Sequence, residues 1–156
     1  MIDHGAIAEA NFRKGYNCAQ SVLLAFGDMT CLEETTAAML ASSFGGGIGR
    51  LREVCGAVSG AVAVLGLLKG YSDPADAAAK RAHYHRVQEF CARFQEQNGS
   101  IICRELLKGV PTASGNDPEA RTDSYYQKRP CAELCRCAAE ILDTMLNENG
   151  ETHAKD

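Results

Sequence analysis

The sequence contains no tryptophan, and the aromatic share is only 6%. Platforms that stack nucleobases are built from such rings. Nor is there an excess of positive charge. Sixteen Lys and Arg stand against 20 Asp and Glu, the net charge is −4, and no basic stripe runs through the chain. A nucleic-acid partner is therefore not expected. Long hydrophobic runs are missing as well. The charge-free segment from Val54 to Leu68 falls short of the roughly 20 residues that cross a bilayer, so it reads as a buried core helix and no membrane partner is expected. The first residues, "MIDHGAIAEANFRKGY", carry charges early and lack the apolar stretch of a secretory leader, which points to a cytoplasmic protein. No segment alternates apolar and polar residues as a strand does, and no Asn-Gly turn separates two such runs.

What remains is helix, and the punctuation marks it. Asp3 and Gly15 bound a first helix, and Asn17 and Gly27 a second. Thr30 with Glu33 forms a capping box for a third. The apolar run ending at Gly70 is the fourth. Asp73, Pro74 and Gly99 delimit a long fifth, Ser100 to Gly109 is a short sixth, and Pro130 to Gly150 is the last. The expectation is an all-α, single-domain bundle, residues 1–156, of six to seven helices around a central Gly-rich apolar helix. The one long loop spans residues 110–129, with room for a helical turn after Pro118.

The central segment, "VCGAVSGAVAVLGLLKG", is built from small residues although glycine weakens a helix by about 1 kcal/mol relative to alanine. Gly56 and Gly60 share a face, and Ser59 and Ala63 form a second small pair. Such a face admits a close backbone, which leaves two readings: tight packing of a neighbouring helix or subunit, or room for a cofactor at Gly56 and Gly60. The preceding "SSFGGGIGRLRE" follows a helix rather than a strand and lacks Gly-Lys-Ser/Thr, so it is neither a dinucleotide fingerprint nor a P-loop. It reads as a close-approach turn that delivers Cys55.

Eight cysteines are many for a chain with no secretory signal, and they point to metal binding or thiol redox chemistry rather than a disulfide framework. Cys18, Cys31, Cys55, Cys103 and Cys131 each fall in the expected first turn of a helix, where the dipole favours a thiolate. Cys91, Cys135 and Cys137 lie inside helices and read as packing residues. Cys55 is expected to have the most depressed pKa, with Arg50, Arg52 and the N–H groups of the glycine loop close by. There is no Cys-x-x-Cys pair and no Cys-x-x-Cys-His, so a zinc ribbon, a thioredoxin site and covalent haem are not expected. Cys131 and Cys135 are spaced to face the same way. His83 and His85 point to different sides of a helix and read as exposed, as do Lys80, Arg81 and Arg86. Tyr125 and Tyr126 either cover a site or anchor the long loop at the surface.

The pieces "NCAQSVLLAFG", "FGGGIGRLREVCGAVSGAVAVLGLLKG", "CRELLKG" and "CAELCRCAAEIL", in this order over Gly15 to Leu146, resemble the C-GCAxxG-C-C family of redox-active proteins. That family is similar to the protein part of split-Soret cytochromes c. The resemblance implies that Cys18, Cys55, Cys103 and Cys131 are the family cysteines. Where the family motif reads Gly-Cys-Ala, this chain has Cys55-Gly56-Ala57, and the haem motif of the cytochromes is absent.

Three functions follow. The first is an electron-transfer protein or oxidoreductase in which Cys18, Cys55, Cys103 and Cys131 hold an iron–sulfur cluster or another thiolate-bound metal. Cys31 or Cys135 could replace one of the four. The second is a metal-free thiol–disulfide protein or switch in which some of the same cysteines pair, with Cys55 and Cys18 as the candidate catalytic residues. The third is a helical interaction module without chemistry. The redox partner is unnamed by the sequence, and a homodimer is compatible with the small-residue face.

Overall fold

A computed structural model of the protein describes residues 1–148. The chain is all-α, and among the described residues there are nine helices and no strand. Asp3 caps α1 (His4–Arg13), accepting from the Ala6 N–H at 2.8 Å. Asn17 caps α2 (Cys18–Ala25), and Gln20 returns a bond to the Asn17 N–H, which completes a capping box.

The third expected helix is divided. The chain makes a single turn, α3 (Gly27–Thr30), and then bends through Cys31 in the left-handed region, φ 55°. It restarts as α4 (Glu34–Ser42). Glu33, not Thr30, is the cap: its carboxylate accepts from the N–H groups of Thr35 and Thr36, each at 2.8 Å. A negative group at that end is also favoured by the helix dipole.

The apolar run forms α5 (Gly56–Lys69), with Cys55 one residue before its first turn. The long helix α6 (Ala77–Asn98) begins at Asp76 rather than Asp73, because the Asp73 carboxylate is engaged in a turn with the Ala75 N–H. It stops at Gly99, φ 90°, as expected. Helix α7 (Cys103–Leu106) starts three residues later than the sequence indicated, since Ile102 pairs antiparallel with Val54. The long loop contains α8 (Asp123–Lys128), and α9 (Cys131–Glu148) closes the fold. Its expected end at Gly150 lies outside the described residues.

Helix α9 packs on α1, α2, α5 and α6, while α2 lies along α5. Phe12, Phe26, Phe90, Phe94, Leu23 and Leu142 fill the space between them. Each such side chain contributes about 1.5–3 kcal/mol by leaving water. The small face of α5 is occupied by α2. A Cβ on Gly60 would stand 2.6 Å from the Ala19 carbonyl oxygen. One on Gly56 would stand 2.9 Å from the Phe44 carbonyl oxygen and 3.0 Å from the Cys18 Cβ. The helix is buried as far as Leu65; Gly66 and Leu67 are exposed, while Leu68 packs partly on the core and Arg86 of α6 donates to the Lys69 carbonyl at 3.3 Å.

Two histidines depart from the reading of the sequence. His83 is buried, and its Nδ1 has no partner; His85 is exposed as expected. His4 is also buried. Its Nδ1 lies 2.7 Å from Asp143 and its Nε2 3.0 Å from Asp28, with its ring stacked on Phe26. No helix among the described residues is long and apolar enough to cross a membrane.

Candidate functional site: a buried cysteine cluster beneath an arginine cleft

The cysteines are collected by three local devices. The first is the antiparallel pairing of residues 52–55 with 101–104. The Cys55 N–H donates to the Ile101 carbonyl at 2.8 Å, and the Cys103 N–H donates to the Glu53 carbonyl at 2.6 Å. This lashes the start of α5 to the start of α7. The second is the contact of Gly56 with Cys18, which sets α2 beside α5. The third is α9, whose Cys131 and Cys135 are both turned to Cys18. The Cys131 and Cys135 thiols each lie near enough to the Cys18 thiol to shift its titration. Cys135 also donates to the Cys18 carbonyl at 3.8 Å.

Cys18, Cys103 and Cys131 line a cavity of about 60 Å³ together with Gly47, Gly56 and Arg52. Cys55 adjoins it, within electrostatic reach of Cys103 and Cys131. Gly47 is held at φ 72°, and a Cβ there would stand 2.7 Å from the Cys103 Cβ. Gly60 faces Ala19 instead. Cys31 is exposed at its bend, and Cys91 and Cys137 lie elsewhere on α6 and α9. Cys135 is a fully buried core residue, as its place inside a helix indicated, and it also contacts Cys18. The spacing of Cys131 and Cys135 on one helix was the signal for it.

Cys18, Cys103 and Cys131 each open a helix, but burial outweighs the dipole. Burial pushes the Cys55 thiol up to about 12, even though the Ala57 and Val58 N–H groups favour its thiolate. The expectation that Cys55 has the lowest pKa is thus overturned. The glycine loop gives it no further help, because the N–H groups of Gly49, Arg50, Arg52 and Glu53 bond within the loop. Burial also raises Cys103, against the pull of Arg52, whose Nη1 lies 4.0 Å from the Cys103 sulfur. For Cys18, the nearby Cys131 thiol favours the thiolate, but the Cys135 thiol and burial raise its pKa well above the ordinary thiol value. Cys131 is raised by the nearby Cys18 thiol and by burial, and Cys135 by burial. A dipole term of at most about 2 kcal/mol does not offset the loss of water around a buried anion.

Above the thiols lie Arg52 and Tyr125, which the sequence already singled out, together with Arg121, Arg129 and Glu119, which it did not. Arg52, Arg121, Arg129 and Tyr125 border the cysteine cavity and also the floor of a cleft of about 410 Å³, which Arg50, Glu119 and the glycines of the loop complete. Arg121 donates to the Phe12 and Tyr16 carbonyls, at 3.1 and 3.2 Å, and lies over the rings of Phe12 and Tyr125. Arg129 pairs with Glu119. Tyr125 therefore borders the site, whereas Tyr126 anchors the loop, its hydroxyl donating to the Arg13 carbonyl at 3.1 Å.

Among the described residues, no group of three or more His, Cys, Asp or Glu side chains could hold a metal ion. The thiols meet in pairs, and the nearest charges are guanidinium groups. The four residues expected as thiolate ligands, Cys18, Cys55, Cys103 and Cys131, lie around or beside one cavity but do not form a ready-made metal site.

The family model described as "Putative redox-active protein (C_GCAxxG_C_C)" matches residues 16–145, a span that contains every cysteine of the cluster. No curated protein and no solved structure matches the chain.

Proposed function

Since the chain belongs to the C_GCAxxG_C_C family of redox-active proteins, we propose that it works as a thiol–disulfide redox protein whose exchanging pair is Cys18 and Cys131. The observation that carries this reading is that these two cysteines, distant in sequence, stand on the wall of one small cavity, close enough for each to shift the titration of the other. In the reduced state both hold their protons, because burial keeps them neutral. Oxidation removes two protons and two electrons and joins the two sulfurs. The electrons pass to the disulfide of a redox partner, which leaves as two thiols. Cys135, bonded to Cys18 from the other side, favours the proton on Cys18 in the resting state. Eight free cysteines suit a reducing cytoplasm.

The pairwise closeness of five thiols is also what favours the second reading, a thiolate-bound iron–sulfur or other metal centre with Cys18, Cys55, Cys103 and Cys131 as donors. One experiment separates the two. Protein purified without oxygen is assayed for iron, zinc and sulfide, then oxidised and mapped by mass spectrometry. The dithiol reading expects no stoichiometric metal and a single Cys18–Cys131 link, absent in Cys18→Ser. Stoichiometric iron with sulfide transfers the cluster to the metal reading. Thiols that neither link nor bind metal leave only a helical interaction module.

A further inference from the structure

We propose that the arginine-lined cleft above the cysteine pair is the docking site of a small anionic disulfide, one bearing at least two carboxylates, which exchanges with Cys18 and Cys131; the inference rests on the dithiol reading and names its substrate class. Four guanidinium groups, from Arg50, Arg52, Arg121 and Arg129, line the cleft against the single carboxylate of Glu119. The chain as a whole is acidic, at −4, so this concentration of positive charge is local. Glu119 is already committed to Arg129 and to the Ala113 N–H. Arg50 also reaches Glu119, its Nη2 lying 3.6 Å from that carboxylate and donating to the Ala113 carbonyl at 3.0 Å, but its Nη1 is buried without any hydrogen-bond acceptor. A buried donor without a partner costs about 1–3 kcal/mol, more when charged, and a ligand carboxylate would supply the missing acceptor.

The backbone that presents Arg50 and Arg52 is itself strained. Residues 46–50 all have φ between 52° and 72°, and Arg52 follows at 62°. For Ile48, Arg50 and Arg52 this conformation costs on the order of 1–3 kcal/mol each, and such strain gathers at ligand sites. The volume, about 410 Å³, lies within the range of small-molecule sites. Its floor is shared with the cavity in which Cys18 and Cys131 stand.

The chemistry balances with a ligand disulfide as oxidant. The Cys18 thiolate attacks one ligand sulfur, the ligand S–S bond breaks, and the departing thiolate takes up the proton that Cys18 released. Cys131, deprotonated in turn, attacks the Cys18 sulfur of the mixed disulfide, and the second ligand thiol leaves protonated. The ligand gains two electrons and two protons, and the protein loses them. The guanidinium groups hold the ligand carboxylates and stabilise each departing thiolate.

The test compares oxidised glutathione, a polycarboxylate disulfide, with cystamine, a cationic one, as oxidants of the reduced full chain. Oxidised glutathione is expected to form the Cys18–Cys131 link at least about tenfold faster. That preference should fade between about 0.01 and 1 M salt, as the screening length falls from ~30 to ~3 Å. It should also be lost in Arg50→Gln/Arg52→Gln. Calorimetry of oxidised glutathione with the Cys18→Ser protein reads binding apart from exchange. Binding without any oxidation of the wild type keeps the anion site and overturns the exchange step with the dithiol reading. Equal rates for the two oxidants, with no binding, overturn the cleft inference and leave the dithiol reading intact. The salt series on the wild type decides the matter if the double variant fails to fold.

Discussion

Gly56 and Cys18 are so close that a Cβ on the glycine would stand 3.0 Å from the cysteine Cβ, with the Phe44 carbonyl oxygen nearer still at 2.9 Å. The glycine of one helix thereby fixes where the thiol of another can stand. Gly56→Ala should cost about 1–3 kcal/mol by overpacking and should also shift the reactivity of Cys18. Gly60→Leu, against the Ala19 backbone at 2.6 Å, should cost at least as much. Urea unfolding checks both. An unchanged midpoint would show that α2 does not press on α5.

The thiols set an alkaline limit to stability. The Cys55 pKa is about 12 in the fold, against 9.0 for an ordinary thiol. A raised pKa means that the folded state keeps a proton which the unfolded chain gives up. The associated stability is complete below about pH 9 and is lost as pH rises through about 12. Cys55→Ala should flatten that decline. Iodoacetamide mapping near pH 8 should find the exposed Cys31 modified first and Cys55 slow.

His4 joins three helices by bridging Asp28 and Asp143. Burial already raises the Asp143 pKa, and removing the imidazole leaves two facing carboxylates without their shared partner. His4→Ala should cost about 1–3 kcal/mol. His4→Gln, which can still donate, should recover part of it. Thermal unfolding at neutral pH distinguishes them.

Ile48 is a β-branched residue at φ 66°, a region that costs an L-residue roughly 1–2 kcal/mol. Its side chain is 41% exposed, so little packing is at stake. Ile48→Gly should therefore raise stability by up to about 1 kcal/mol after the entropy of glycine is counted. A marked loss would mean that the side chain holds the arginine loop in place.

The helices were legible because their punctuation is local: Asp3, Asn17 and Gly99 act where the sequence places them. The cluster was legible in part for the same reason, since Cys18, Cys103 and Cys131 do open helices. Cys31 was misplaced because Glu33 competes successfully with Thr30 for the cap. Ser100 failed as a helix start because Ile102 finds a backbone partner at Val54, far away in the sequence. The direction of the Cys55 shift was misread because burial is a property of the whole fold, while the dipole can be inferred from one helix. Arg50 and Arg52 were legible as neighbours of Cys55, but their meeting with Arg121 and Arg129 was invisible for a related reason. Arg52, Arg121 and Arg129 meet only after the left-handed loop has turned back on itself and α8 has been laid against Phe12.

Helices α2 and α9 bring their sulfurs together from opposite ends of the chain. A bond between them would turn nearly the whole domain into a ring. Closing a loop on the order of a hundred residues removes enough freedom from the unfolded chain to add about 4–5 kcal/mol in the chain-entropy view. The same coupling runs in reverse: a fold that holds the two sulfurs in contact makes their bond harder to reduce. Melting temperature and midpoint potential are then two readings of one quantity. A substitution that loosens α2 from α9, even far from either sulfur, should raise the potential as it lowers the melting point.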